Sequence, residues 1–195
     1  MSHRIYNTEA FVLGTTSRGE GSSYVRFYTR DLGLISAWVQ GVRTLQSKLR
    51  YHVQPFSYSQ LSLVRGRDMW RVTGAEEIIS LVSPQREMAR FQFISKIFAL
   101  LSRLVTGEEA DAELFDEVRA VLRSPKDTFT SEDFSMLEVL LVLRVLFRLG
   151  YLESTDDARV LLECDLTDPL HYDTVRPLRP HAVSLINSAL RASQL

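Results

Sequence analysis

The stretch from Phe27 to Phe56, FYTRDLGLISAWVQGVRTLQSKLRYHVQPF, constrains the fold of this chain more than any other. Two apolar-rich runs, Tyr24–Thr29 and Leu34–Val39, flank Arg30-Asp31-Leu32-Gly33. A short polar connection ending in glycine between such runs is the pattern of a β-hairpin. The second run stops at Gly41 and opens into a loop carrying Arg43, Lys48 and Arg50, before Gln54-Pro55-Phe56 resumes an extended chain. A strand meander that spills into a basic loop is how small β-barrels present themselves to a polyanion.

The rest of the first half extends this pattern. Ala10–Leu13 is apolar on both faces, as a closed barrel wall requires. Gly14–Ser22 reads as a hairpin loop and not as a phosphate-binding loop, because Glu20 stands where such a loop needs Lys and no helical pattern follows. Phe56–Val64 and Met69–Ala75 form a further hairpin across Arg65-Gly66-Arg67-Asp68. Five strands with this punctuation predict an OB-like barrel over residues 1–82, although spacing alone does not separate it from an SH3-like one.

After Ser83 the apolar period lengthens to helical spacing, which makes the chain α+β with a helical bundle over 83–195. Ser83-Pro84 reads as an N-cap followed by proline at the first helical position, and the pattern runs to about Val105 with Gly107 beyond. Asp111–Arg123 is a shorter amphipathic helix. Thr130-Ser131-Glu132-Asp133 offers a capping box to a long helix that Gly150 closes, apolar nearly all round from Met136 to Leu149 and so expected at the centre of the bundle. Arg179-Pro180 opens a last helix with Val183, Leu185, Ile186 and Leu190 as its apolar stripe. The formal net charge of −1 conceals an asymmetry: residues 1–75 carry ten Lys/Arg against four Asp/Glu, and 76–195 carry thirteen against twenty.

Composition removes several function classes. The sole cysteine, Cys164, excludes an internal disulfide and suits a reducing cytoplasm. No run approaches the roughly 18 apolar residues of a membrane span. The four histidines stand apart from any nucleophile or carboxylate partner, and the carboxylates of Glu108–Glu117 and Asp156-Asp157 read as solvated helix faces, so no enzymatic activity and no cofactor are expected. Period-two parity places Tyr24, Arg26 and Tyr28 on one strand face, opposite Val25 and Phe27, and sets Trp38 with Leu34, Ser36 and Gln40. Aromatics interleaved with arginine stack bases and neutralise phosphates together. The candidate nucleic-acid-binding set is therefore Tyr24, Arg26, Trp38, Arg43, Lys48 and Arg50, with a core role as the competing reading for Tyr28 and Trp38.

The series Ala10-Phe11-Val12-Leu13, Thr29, Gly33, Gly41, Arg43, Ser47, Lys48, Leu49, Gln54-Pro55-Phe56 and Ala75-Glu76 resembles the RecO family of bacterial recombination mediators, with order and spacing kept across residues 8–77. The helical half agrees in outline down to Leu149-Gly150-Tyr151. The resemblance implies an OB-fold domain followed by a helical domain. It also implies a nucleoid-associated protein that binds single- and double-stranded DNA, anneals complementary strands and, with RecR, helps load recombinase. The acidic tail of single-strand DNA-binding protein is a further implied partner, and Arg90, Phe91, Lys96 and Arg103, with Phe93, are the candidates for receiving it. By position Arg43 and Lys48 fall in the family's DNA-contacting loop. The chain departs from the pattern at Gln40 and Ser36, where relatives often carry cations, and in lacking paired CxxC zinc ligands. Cys164, Asp165, Asp168 and His171 do not have the spacing of a structural zinc site, and no metal is expected. The rival reading from another class is a non-enzymatic interaction scaffold whose DNA binding is weak or lost.

Overall fold

The computed structural model describes residues 4–18, 22–40, 49–82, 88–124, 129–153 and 155–193. Five strands, β1 (Ile5–Arg18), β2 (Ser22–Thr29), β3 (Gly33–Val39), β4 (Ser57–Arg65) and β5 (Trp70–Ser80), close a barrel in the order β1-β2-β3-β5-β4. A four-residue helix, α1 (Leu49–His52), lies between β3 and β4. All pairings are antiparallel except β3 with β5, which run parallel through Ala37↔Trp70 and Trp38↔Arg71.

Strand alternation explains the interior. Ala10 and Val12, Val25 and Phe27, Ile35, Ala37 and Val39, Leu61 and Leu63, and Trp70 and Val72 point inward and form one cluster, with Val53 beyond α1 joining it. Each fully buried aliphatic or aromatic side chain contributes about 1.5–3 kcal/mol. The β2–β3 turn is pinned to β1. The Thr8 hydroxyl donates to Asp31 Oδ2 at 2.7 Å and accepts from the Asp31 amide at 3.2 Å, and the Arg30 amide donates to the Glu9 carbonyl at 3.0 Å. Gly33 closes that turn at φ +66°, a left-handed backbone that glycine adopts without strain.

Two local expectations are corrected, and a third falls outside what the structure describes. The segment from Gly14 is not all loop: β1 continues to Arg18, and the register shift between Val12 and Gly14 lets the long strand bend. Phe56 does not resume an extended chain. It sits in a turn at φ +69°, held by its amide to the Val12 carbonyl and by its carbonyl to the Leu81 amide. The proposed helix start at Ser83-Pro84 lies outside the described residues.

The helices are α2 (Met88–Leu104), α3 (Ala112–Arg123), α4 (Ser131–Arg148), α5 (Asp156–Glu163), α6 (Tyr172–Val175) and α7 (Arg179–Ala192). The chain falls into two compact units, Met1–Arg86 with Leu101–Phe115, and Glu87–Leu100 with Asp116–Leu195. In the second unit α4 begins in a full capping box: Thr130 and Asp133 each bond the other's backbone amide. Burial raises the Asp133 pKa, but the Thr130 hydrogen bonds and Arg176, at 3.0 Å, outweigh it and leave the carboxyl below its ordinary value. Phe134, Leu137, Leu140, Leu141, Val145 and Leu146 bury most of the α4 circumference. Arg144 pairs with Glu117 and donates to the Cys164 carbonyl, so this cation is structural. In α7 the fully buried positions are Ala182 and Ala189, while Val183, Leu185, Ile186 and Leu190 are only half-buried. The expected stripe is displaced toward small residues, which admit close helix approach. The short α6 has no counterpart in the sequence reading, which anticipated α5 only through the helix face assigned to Asp156-Asp157.

Candidate nucleic-acid interface

The interface is built on the outward faces of β2, β3 and β5. Tyr24 and Trp38 are cross-strand partners, and their rings meet edge-on with centroids 5.0 Å apart and an interplanar angle of 71°. Both are half-buried, so each offers part of its ring to solvent. The Tyr24 hydroxyl donates to Met69 Sδ at 3.6 Å, which fixes the ring. Two residues along, exposed Arg26 faces Ser36 in register. Arg71 is exposed beside Trp38 through the parallel β3–β5 pairing. The guanidinium of neither Arg26 nor Arg71 forms an ion pair or hydrogen bond among the described residues. A cleft of about 360 Å³ adjoins Tyr24 and Arg26, lined also by Gly14, Thr15, Ser36 and Ser102. Side-chain hydroxyls, one guanidinium and two accessible rings without a carboxylate suit a phosphate–base strand.

The predicted set therefore divides. Tyr24, Arg26 and Trp38 come together on one surface. Tyr28 shares their strand face but is buried, so it takes the core role. Arg50 lies half-buried in α1, and Arg43 and Lys48 lie outside the described residues. Ser36 and Gln40 are exposed. Arg71 was missed. Its alternation is legible, with Trp70 and Val72 inward, but its place beside Trp38 depends on a parallel pairing between strands distant in sequence. Arg65 is engaged instead: it pairs with Glu108, stands 5.1 Å from the centre of the Trp70 ring, and shares Glu108 with the Trp70 indole N–H.

The partner-peptide candidates also divide. Arg90, Phe91 and Lys96 belong to the second unit and Arg103 to the first. The Arg90 guanidinium is 3.4 Å from the Leu122 carbonyl near the end of α3, and Lys96 pairs with Glu138 at 2.7 Å. Phe91 is 41% exposed. A groove of about 340 Å³ between the first turns of α2 and α4 is lined by Met88, Gln92, Phe93, Lys96, Phe134 and Glu138. Cys164 is buried, its thiol raised in pKa by desolvation, and its sulfur faces the backbone carbonyls of Asp165 and His171. Among the described residues no three His, Cys, Asp or Glu side chains are grouped to hold a metal ion. No helix among them is long and apolar enough to cross a membrane.

Residues 1–81 match the family described as Recombination protein O N terminal. The first 81 residues belong to the RecO family. Proteins named DNA repair protein RecO align well beyond this domain. The one from Heliobacterium modesticaldum is 33% identical over 148 residues, covering 76% of this chain and 52% of its own. That of Pelotomaculum thermopropionicum is 30% identical over 148 residues, covering 76% and 56%. That of Dehalococcoides mccartyi is 28% identical over 127 residues, covering 65% and 50%. The chain spans about half the length of the curated RecO relatives it matches. An alignment of 148 residues exceeds the RecO N-terminal domain, so the similarity reaches into the helical segment.

Proposed function

We propose that this chain acts in DNA repair and recombination as a non-catalytic mediator, associated with the nucleoid in the bacterial cytoplasm. It binds single- and double-stranded DNA, anneals complementary strands and, with RecR, helps load recombinase. Residues 1–82 carry the nucleic-acid contact and 83–195 the helical partner contacts. The observation that carries this reading is the Tyr24–Trp38 pair beside Arg26, open on the outside of a RecO-family barrel. Stacking on such rings is sequence-tolerant, because every base has a π-face, and arginine supplies the phosphate term.

The test is single-strand DNA binding across a salt series. Neutralising Arg43, Lys48 and Arg50 together flattens the log K against log salt slope by about two units, at roughly 0.7 per phosphate contact. An unchanged slope removes that loop from the site, and no salt-dependent binding by the unaltered chain favours the scaffold reading instead.

The acidic tail of single-strand DNA-binding protein is proposed to dock on the helical segment at the groove beside Lys96. Phe93, Phe134 and Met88 give it apolar walls, and Lys96 exchanges Glu138 for a tail carboxylate. Titration of the tail peptide against the intact chain and its Lys96→Ala variant checks this: equal affinity rules the groove out.

A further inference from the structure

The outward row that begins with Tyr24 and Trp38 does not end at β3. Strand registers carry it on without a break: Tyr24 opposes Trp38, Trp38 neighbours Arg71, Arg71 opposes Val64, and Val64 opposes Ile5. Adjacent strands lie about 4.8 Å apart, so four steps make a lateral track of roughly 19 Å across all five strands. Along it stand two aromatic rings, a guanidinium unengaged among the described residues, a half-buried valine and an isoleucine that is 59% exposed. Arg4, next to Ile5, is also exposed, 5.0 Å from the centre of the Tyr6 ring.

Charge bounds this row on one side. On β1, β4 and β5 the next outward positions are neutral: Asn7, Ser62 and Gly74, with the Ser62 hydroxyl donating to Asn7 at 2.8 Å. The row after that is acidic, where Glu9 opposes Gln60 and Gln60 opposes Glu76. On β1 this acidic row stands four residues from Ile5, about 13 Å along the strand, and on β5 Glu76 stands five residues from Arg71. Within a Debye length, about 8–10 Å, these two carboxylates repel a phosphate chain that strays toward them from the track.

We infer that the single-strand path crosses the barrel along Tyr24–Trp38–Arg71–Val64–Ile5, with Arg71 as its central phosphate contact and Ile5 as an apolar seat for a base beyond it. This rests on the DNA-binding reading above. It extends the site from the β2–β3 platform onto β5, β4 and β1. Exposed isoleucine at the start of a strand then has a partner, and the unengaged Arg71 has a counter-charge.

The test is fluorescence anisotropy of oligo(dT) of two lengths, titrated with the intact chain at several salt concentrations. Arg71→Gln lowers the salt slope by about 0.7 and weakens the long oligomer roughly five- to tenfold, whereas Arg71→Lys keeps the slope, because one phosphate contact contributes about that much. Ile5→Ser weakens the long oligomer about threefold and leaves the short one unchanged. Both positions are exposed, and matching melting curves confirm folding. If the unaltered chain binds with a normal slope while Arg71→Gln or Ile5→Ser binds both oligomers equally well, the lateral path is wrong and the DNA-binding reading stands. If the unaltered chain binds neither oligomer, the DNA-binding reading itself fails.

Discussion

The outer wall of the barrel carries aromatic side chains in two places, and they have opposite fates. Phe11, Tyr28 and Tyr58 are at most 1% exposed, covered by Phe115 with ring centroids 5.0, 5.4 and 6.5 Å away. Tyr24 and Trp38 remain open beside Arg26 and Arg71. Tyr24 and Tyr28 lie on the same face of one strand, four residues apart. Alternation does not distinguish them. What does is the segment Val105–Phe115. It approaches the barrel where the Leu34 amide donates to the Gly107 carbonyl and Gly33 meets the Glu109 backbone, and it then lays Phe115 over one aromatic group only. Whether an outward ring is core or binding surface is decided by a remote stretch of chain.

The largest way to break this comparison is to remove the cover. Phe115→Ala loses about 3–5 kcal/mol of stability, the usual range for a buried Phe, measured by urea unfolding. A loss under 1 kcal/mol would show that the covered face gains little from burial. Gly33→Ala tests the approach itself. Its φ of +66° strains any side chain by roughly 1–3 kcal/mol, and a Cβ there would lie 2.5 Å from the Glu109 carbonyl oxygen. Gly107→Ala is the matched control: φ is +74° but nothing lies within 4 Å. The two melting temperatures should drop unequally, Gly33→Ala further. Equal drops would mean that the close approach contributes nothing beyond backbone strain.

The open face answers to a different measurement. Tyr24→Ala and Trp38→Ala each weaken single-strand binding by about 1–3 kcal/mol per stacked base, while stability falls much less than in Phe115→Ala. Wild-type affinity in both variants would reduce the open aromatics to surface filling.

The sequence makes part of this legible. Alternation in Val25–Phe27 and Ile35–Val39 gives the barrel interior, the glycine-ended turns give the hairpins, and Thr130 with Asp133 gives the start of α4. These are local signals, carried by neighbours within a few residues. Arg71 beside Trp38 and Phe115 over Tyr28 are not local. The first needs a parallel pairing across 33 residues, and the second needs a segment that helical periodicity assigns to the bundle but compaction assigns to the barrel unit. The same limit applies to α7, where the pattern of large apolar residues points to Val183 and Leu190 although packing selects Ala182 and Ala189.

The smallest expected effect is the most discriminating for the covered face. The Tyr28 hydroxyl is buried and has no hydrogen-bond partner among the described residues, and burial first, then the charge of Asp111, holds its pKa well above the ordinary 10.0. The folded state therefore binds this proton more tightly than the unfolded one. Its contribution is intact below about pH 10 and is lost as pH rises from there toward the folded value, by up to about 1.4 kcal/mol per pH unit. Tyr28→Phe deletes the hydroxyl and keeps the ring against Phe115. At pH 8 the change in stability is within roughly 1 kcal/mol, since an unpaired buried hydroxyl costs desolvation without a compensating bond. Above pH 10 the variant outlasts the wild type, and the gap widens with pH. Some alkaline slope persists in both, because burial also raises Tyr172. Urea midpoints at pH 8, 10 and 11 read this directly. A loss of 2 kcal/mol or more at pH 8, or parallel alkaline slopes in the two proteins, would mean that the Tyr28 hydroxyl is bonded after all, and that the cover over this face is looser than its rings indicate.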